Sequence, residues 1–315
     1  MIRKAAIISI SGPILTRQEI SILKKERPWG IILFKRNIIS AHQLKNLTNR
    51  IRRAMKDKKY PILVDEEGGR VSRLSNYLDN SFFTQKYFGH IYKLNKQIGT
   101  QLYKAYIDSV SQFLLKAGIN INTSPVLDLS RKNTHKVIGN RSYSKNTLIV
   151  NEMGKLCVQF YKANKIATVI KHIPGHGGAN LDSHIKLPKI KDSLNLLKKK
   201  DFKCFKNISS FFAMTAHILY KSIDPKHNAT HSKKIIKSII RKEIGFKGIL
   251  ISDDISMKAL KYNLTKNSDI ALKAGCNLVL YCAGKSNEMA RLLKKVPYID
   301  KFTAKKTSEF YKFLS

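Results

Sequence analysis

The strongest constraint on the fold is a regular alternation of short apolar segments with segments of helical period. Eight β-rich segments occur along the 315 residues: KAAIISI (4–10), GIILF (30–34), PILVDEE (61–67), INTSPVLDL (121–129), ATVIKHIPG (167–175), FFAMTAHI (211–218), GILISDD (248–254) and NLVLYC (277–282). Between them apolar residues return every three or four positions, as at Leu102, Tyr106 and Val110. This pattern predicts an α/β protein, a single-domain (β/α)8 TIM barrel over residues 1–315. An open doubly wound sheet is the alternative, but no glycine-rich fingerprint follows an early strand.

Polar residues stand where the predicted strands end. They are Asp65 to Glu67, Asp128, Lys171, His172, His217, Asp253 and Asp254. Catalytic groups of TIM barrels sit at the carboxyl ends of the strands. We therefore expect these side chains to meet at one mouth of the barrel.

The segment KHIPGHGGANLDSH (171–184) concentrates histidines and glycines. Pro174 and its neighbouring glycines disfavour regular structure, so we expect a mobile loop over the mouth at about 173–187. A zinc site would need a rigid scaffold, and a phosphate cradle would need a glycine turn opening onto a helix; the segment offers neither. An acid/base dyad is the third hypothesis, because side chains two apart in an extended segment share a side and Asp182 can hydrogen bond to His184. An ordinary polar turn is the simpler alternative.

The segment ISDDISM supplies two carboxylates at the end of the seventh strand. A carboxylate in that position can attack a sugar carbon and form a covalent intermediate. Alternation along a strand sends Asp253 and Asp254 to opposite sides, and the period does not say which faces the mouth. One of the two also suits the cap or first turn of a following helix.

Two further segments, DEEGGRVSRL and VIGNRSY, add polar groups to the same face. Asp65 with Arg70 and Arg73 forms a cluster suited to sugar hydroxyls. A salt-bridged loop is the alternative for Glu66 and Arg70. Arg141 lies in the loop after the fourth strand, again on the predicted active face.

Composition limits the partners and the compartment. The chain has 59 Lys and Arg against 21 Asp and Glu, a formal charge of +38 that would attract polyanions. The lysines are spread along the chain without a recognised nucleic-acid module, so we favour a composition-biased, solvated surface. Four cysteines without CxxC or metal-ligand spacing indicate reduced thiols and a cytoplasmic protein. The N-terminal apolar stretch is shorter than the apolar region of a signal peptide. No apolar run in the sequence approaches the roughly 18 residues of a membrane span.

Together these segments resemble the single-domain bacterial β-N-acetylhexosaminidases of glycoside hydrolase family three, the cytoplasmic enzymes of peptidoglycan recycling. The motifs that carry the resemblance are WGIILFKRN, VDEEGGRVSRL, SPVLDL, VIGNRSY, KHIPGHG followed by DSH, AMTAHILY and GFKGILISDDISM. They occur in the family's order and span nearly the whole chain. The resemblance implies a TIM barrel, a retaining mechanism and removal of terminal β-linked N-acetylglucosamine (GlcNAc) from fragments that contain 1,6-anhydro-N-acetylmuramic acid (anhydro-MurNAc), with or without peptide.

The resemblance also implies residue roles. Asp253, the aspartate that follows the serine, becomes the nucleophile, and His184, assisted by Asp182, becomes the acid/base. An imidazole suits that role because its pKa lies near neutrality without a special environment. The implied substrate-binding residues are Asp65, Arg73, Arg141, Lys171 and His172. We expect a monomer, without a metal, an organic cofactor, a membrane partner or a nucleic-acid partner.

Alternatives and departures from the family pattern remain. A phosphorylase would transfer the sugar to phosphate, an inactive basic barrel would bind nucleic acid, and a substrate-assisted hydrolase would use the acetamido oxygen as nucleophile. The chain has Glu66 where the family usually has Gln, Asn228 where Pro is frequent and Asn277 where Asp is usual. Gly178 stands where a polar or small residue is common. These departures place loop stability in question more than chemistry.

Overall fold

The eight predicted segments each contribute one strand of a closed parallel barrel. The structure is a computed structural model that describes residues 2–131, 134, 138–179 and 187–315. The barrel strands are β1 Lys4–Ile8, β2 Pro28–Leu33, β3 Ile62–Val64, β4 Ile121–Asn122, β5 Ala167–Ile173, β6 Phe212–Thr215, β7 Ile249–Asp254 and β8 Leu278–Tyr281. Each strand pairs with its neighbours in sequence, and β8 pairs with β1 to close the ring. The (β/α)8 prediction is confirmed, and two short strands, Lys189–Ile190 and Leu219–Tyr220, form a separate pair.

Helices surround the barrel. The α-helices are α1 Arg17–Glu26, α2 Ala41–Met55, α3 Gln85–Leu94, α4 Lys96–Ala117, α5 Thr147–Ala163, α6 Leu194–Lys199, α7 Leu264–Ala274, α8 Ser286–Lys295 and α9 Lys301–Phe313. A π-helical segment, Ile235–Glu243, lies between β6 and β7, and short 3₁₀ turns include Ala229–His231. Side-chain caps define many helix starts; Thr16 and Glu19 form a capping box before α1. In the described part of the chain, no helix has the length and apolar character needed to cross a membrane.

An aromatic cluster packs at the amino ends of the strands. The fully buried Trp29, near the start of β2, meets the ring of Phe212 edge-on at 5.5 Å between ring centroids. Phe310 of α9 packs against both rings. Trp29 Nε1 donates a hydrogen bond of 2.9 Å to Thr307 Oγ1, so the indole nitrogen is satisfied inside the protein. Helix α9 thereby covers this end, and the strand-end polar residues lie at the other.

The residues that depart from the family pattern have hydrogen-bond partners in the fold. Asn277 Oδ1 accepts hydrogen bonds of 2.8 Å from both the Arg241 guanidinium and the Leu250 backbone N–H. Asn228 Oδ1 accepts from the backbone N–H of His231 at 3.1 Å and caps the turn Ala229–His231. The Asn228 oxygen caps the turn that follows it, and the Asn277 oxygen joins the start of β8 to β7 and to Arg241, without a proline or a carboxylate.

We predict that Asn277→Ala lowers the free energy of unfolding by about 1–3 kcal/mol, because it leaves the Leu250 N–H and the Arg241 guanidinium without their shared acceptor. Asn277→Asp keeps an acceptor oxygen in the same position and should stay within about 1 kcal/mol of the parent. Urea unfolding followed by circular dichroism measures both. Equal destabilisation by the two variants would show that the acceptor oxygen is unimportant.

Candidate active site

Most of the strand-end side chains border one cavity at the carboxyl end of the barrel, whereas Glu66, Asp128 and His217 do not line it. The cavity has a volume of about 360 Å³ and is bordered by Asp65, Glu67, Arg70, Arg73, Arg141, Lys171, His172, His176, Asp253 and Asp254, among others. This volume lies in the range of small-ligand sites. A larger cleft of about 600 Å³ includes Ser210 and Lys247. That cleft lies at the amino ends of β6 and β7, away from these side chains.

Lys171, in β5, is the buried cation of the site. Its side chain is only 3% exposed. Its Nζ lies 3.1 Å from Asp65 Oδ1 and 2.7 Å from Glu67 Oε1, and it donates to Thr123 Oγ1 at 3.0 Å. A buried ammonium group is tolerated only with such close partners. The ion pairs therefore hold β5 and the segment after β3 in a fixed relation.

Asp65 is an anion with one edge near the cavity. Its Oδ1 accepts from the Thr123 hydroxyl as well as from Lys171, and its Oδ2 accepts from Arg73 Nη2 at 3.1 Å. Burial alone would raise the pKa of Asp65, but the charges of Lys171 and Arg73 hold that pKa well below its usual range. A carboxylate that stays charged can accept hydrogen bonds from sugar hydroxyls.

Glu67 orients Arg141 through a bidentate ion pair. Arg141 Nε lies 2.7 Å from Glu67 Oε2 and Nη2 lies 2.9 Å from Oε1. Burial would raise the pKa of Glu67, but Arg141 and Lys171 lower it to about 2. Burial likewise opposes the charge on Arg141, yet Glu67 raises the pKa of that guanidinium overall. Glu67 is not among the substrate-binding residues predicted from the sequence, although its position at the end of the third strand marked it.

Asp128 fixes the imidazole of His172. His172 Nδ1 donates to Asp128 Oδ2 at 2.7 Å, and Asp128 Oδ1 accepts from the backbone N–H of His172 and of His176. Asp128 is fully buried, which raises its pKa, but His172 outweighs burial and the pKa falls below its usual value. This pairing leaves Nε2 of His172 as the ring nitrogen for a ligand. Burial lowers the pKa of His176 to about 4, so that ring is neutral at pH 7.

The adjacent aspartates at the end of β7 differ in their hydrogen bonds. Both border the cavity, so strand alternation does not exclude either from it. Asp254 Oδ1 accepts from the backbone N–H of Ser256 at 3.0 Å and of Cys282 at 3.2 Å, and burial raises the pKa of Asp254. Asp253 Oδ1 accepts from the Asp254 N–H at 2.8 Å. The Asp254 carboxylate thus ties the turn after β7 to the end of β8. The helix-capping role expected for one member of the pair is wrong, because in the described residues no helix begins directly after β7 and α7 is capped by Asn263.

The predicted dyad of Asp182 and His184 lies outside the described residues. The described start of its loop is buried from Pro174 to Gly177. The Gly175 carbonyl accepts from the Tyr220 hydroxyl, and the Gly177 carbonyl accepts from Thr134 Oγ1 at 2.6 Å. A Cβ at position 177 would lie 2.0 Å from the Leu129 carbonyl oxygen, so this close approach requires glycine.

Six of the eight predicted site residues therefore border the same cavity. They are Asp65, Arg73, Arg141, Lys171, His172 and Asp253. Their roles in binding and catalysis remain predictions. In the described ranges, no group of three or more His, Cys, Asp or Glu side chains has an arrangement that could hold a metal ion.

We predict that Glu67→Gln lowers the free energy of unfolding at pH 7 by about 3 kcal/mol, because the pKa of Glu67 falls from 4.5 to about 2 on folding. A depressed pKa stabilises the fold above pH 4.5, and this contribution is lost as the pH falls towards 2. The difference between parent and variant should therefore shrink across that window in urea unfolding. Asp269→Asn, in an exposed pair with Lys273, is the control and should change stability by less than about 1 kcal/mol. A difference in the free energy of unfolding that does not change with pH would contradict the lowered pKa of Glu67.

Comparisons with known proteins identify the family of the chain. The model of the Glycosyl hydrolase family 3 N terminal domain matches residues 6–305. A β-hexosaminidase of Nitrosomonas eutropha is 31% identical over 281 residues, 88% of this chain and 80% of that protein. One from Neisseria gonorrhoeae is 34% identical over 274 residues, 85% of this chain and 75% of that protein. The crystal structure of NagZ from Neisseria gonorrhoeae in complex with N-trifluoroacetyl-D-glucosamine has a TM-score of 0.89 and 28% identity, covering 100% of this chain and 90% of that chain. The chain therefore belongs to glycosyl hydrolase family 3, as a β-N-acetylhexosaminidase.

Proposed function

We propose that this protein is a retaining exo-β-N-acetylglucosaminidase that removes terminal GlcNAc from muropeptides containing 1,6-anhydro-MurNAc. The observation that carries the proposal is one cavity that combines a fixed set of sugar-binding groups with a strand-end carboxylate. Asp65, Lys171 and His172 are held by buried partners on one side, and Asp253 lies on the other. The solved NagZ complex with N-trifluoroacetyl-D-glucosamine supports a sugar of this class as the ligand.

The binding groups match the hydrogen-bonding needs of a pyranose. Anionic Asp65 accepts from hydroxyl groups and Arg73 donates to sugar oxygens, while Lys171 keeps Asp65 charged and in place. His172 presents Nε2, because Asp128 engages its other ring nitrogen. These groups are oriented by their ion pairs before a ligand arrives, so little side-chain entropy is lost when a sugar binds.

The proposed reaction has two displacements. The Asp253 carboxylate attacks the anomeric carbon, the glycosidic C–O bond breaks, and His184 gives its proton to the leaving oxygen. Water then attacks the same carbon, His184 takes a proton from it, and the bond to Asp253 breaks. Two inversions retain the β configuration. In this mechanism Asp182 accepts a hydrogen bond from His184 and stabilises its protonated form.

We propose a monomeric, cytoplasmic enzyme of cell-wall recycling, with one barrel domain and a mobile acid/base loop at about 173–187. The cysteines Cys157, Cys204 and Cys276 are free and buried, as expected of reduced core thiols. The sequence resemblance supports the recycling substrate, and Pro174 with its neighbouring glycines supports the loop.

We predict that Asp253→Ala reduces kcat/KM for p-nitrophenyl β-N-acetylglucosaminide by at least about 10³-fold, because the nucleophile is lost. His184→Ala should also reduce activity strongly with natural substrate, whose leaving group needs a proton. Asp269→Ala, in an exposed ion pair with Lys273 and outside the lining of the cavity, is the matched carboxylate control and should retain full activity. An unchanged rate in folded Asp253→Ala would overturn the assignment of the nucleophile.

We also predict that an activated fluorosugar, which slows the second displacement, labels the peptide that contains Asp253. Mass spectrometry of the digested protein identifies the labelled peptide, with Asp253→Ala as the unlabelled control. An active enzyme that is never labelled would favour substrate assistance by the acetamido group instead.

We predict that the enzyme releases free GlcNAc from GlcNAc-anhydro-MurNAc in phosphate-free buffer. Release of GlcNAc 1-phosphate only after phosphate addition would indicate a phosphorylase.

A further inference from the structure

A chain of buried hydrogen bonds connects the end of β6 to the backbone on either side of the Asp253–Asp254 pair. The backbone N–H of Asp253 donates to Thr215 Oγ1 at 3.4 Å, and Thr215 Oγ1 lies 2.8 Å from Thr230 Oγ1. Thr230 Oγ1 lies 2.7 Å from His217 Nδ1. The other ring nitrogen, His217 Nε2, lies 3.0 Å from the carbonyl oxygen of Asp254. The chain thus begins at the N–H of Asp253 and ends at the carbonyl of the next residue.

With a neutral His217 ring, the chemistry of these groups gives each hydrogen bond one direction. A carbonyl oxygen only accepts, so His217 Nε2 carries a proton and donates to Asp254. A neutral imidazole with its proton on Nε2 accepts at Nδ1, and the Thr230 hydroxyl donates to it. The Thr230 oxygen then accepts from the Thr215 hydroxyl, whose oxygen accepts from Asp253. The other acceptor near Thr230, the Ala216 carbonyl, is more distant at 3.4 Å.

Water cannot replace these hydrogen bonds readily. Thr215 and Thr230 are fully buried, and His217 is 1% exposed. Thr230 is itself held in the turn Ala229–His231, which Asn228 caps. Each hydroxyl in the chain donates once and accepts once, and buried hydrogen bonds that are coupled in this way restrict motion more than isolated ones do. The peptide unit before Asp253 and the one after Asp254 are therefore held by this chain.

We propose that Thr215, His217 and Thr230 are positioning residues that hold the Asp253 carboxylate for attack on the anomeric carbon. This inference rests on the proposed function, in which Asp253 is the nucleophile. The three residues act through the backbone at the end of β7, and Asp253 is the group that meets substrate. A carboxylate displaced by about 1 Å from its attack position can lose a large part of its rate, about 100-fold.

The test compares Thr230→Val, which keeps the shape and removes the hydroxyl, with Thr230→Ser, which keeps the hydroxyl. We expect Thr230→Val to lower kcat for p-nitrophenyl β-N-acetylglucosaminide by about 10- to 100-fold, with KM changed less than about threefold. Labelling by the activated fluorosugar should slow by the same factor as kcat, because both require attack by Asp253. Thr230→Ser should recover kcat to within about threefold of the parent. Thermal unfolding verifies that each variant is folded.

A second pair, Thr215→Val and Thr215→Ser, breaks the chain at its other hydroxyl and should give the same pattern. It decides the question if Thr230→Val does not fold. Folded Val variants with parental kcat and labelling rate would overturn the positioning role and leave the proposed function intact. A parent protein that neither hydrolyses the glycoside nor becomes labelled would overturn the proposed function, and this inference with it.

Discussion

The ion pairs of Lys171 organise the mouth of the barrel. A buried ammonium group requires carboxylates within contact distance, and Asp65 and Glu67 supply them from the end of β3. These carboxylates are themselves buried, and they need the second cations Arg73 and Arg141. One cation in β5 therefore fixes the geometry of two neighbouring loops. The ligand-facing groups are rigid because they are needed to keep each other charged inside the protein.

The two sides of the mouth are stabilised by different physics. On the side of β3 to β5, charged groups compensate one another, and the pKa values of Asp65 and Glu67 are held low. On the side of β6 and β7, hydroxyl groups, backbone amides and one imidazole carry the hydrogen bonds. Ion pairs suit the side proposed to bind hydroxyl groups, since they keep donors and acceptors separated and oriented. A hydrogen-bonded scaffold suits the side of Asp253, the proposed nucleophile, because it holds the backbone without adding a charge.

The fold could be predicted from the sequence because it depends on periodicity. Each barrel strand is a short apolar segment, and the lengths and spacing of these segments can be recognised in the sequence. The site was predictable only in part. Strand ends located Asp65, Lys171 and Asp253, but the partnership of Glu67 with Arg141 joins residues 74 positions apart. Nor does the sequence distinguish Asp253 from Asp254, because their difference lies in hydrogen bonds from Ser256 and from Cys282, on a neighbouring strand's end.

The contrast between exposed and buried positions explains how the fold tolerates its unusual composition. Exposed lysines cost little, because water and salt screen their mutual repulsion, so a formal charge of +38 is compatible with the barrel. Substitutions in buried positions are restricted by hydrogen bonding. Asn is tolerated at position 277 because its amide oxygen accepts hydrogen bonds from both Leu250 and Arg241. Glu66 succeeds because its carboxylate accepts from Ser72, Asn80 and two backbone N–H groups, even though burial raises its pKa. What is retained at such positions is an acceptor oxygen in the right place, and its formal charge matters less than its partners.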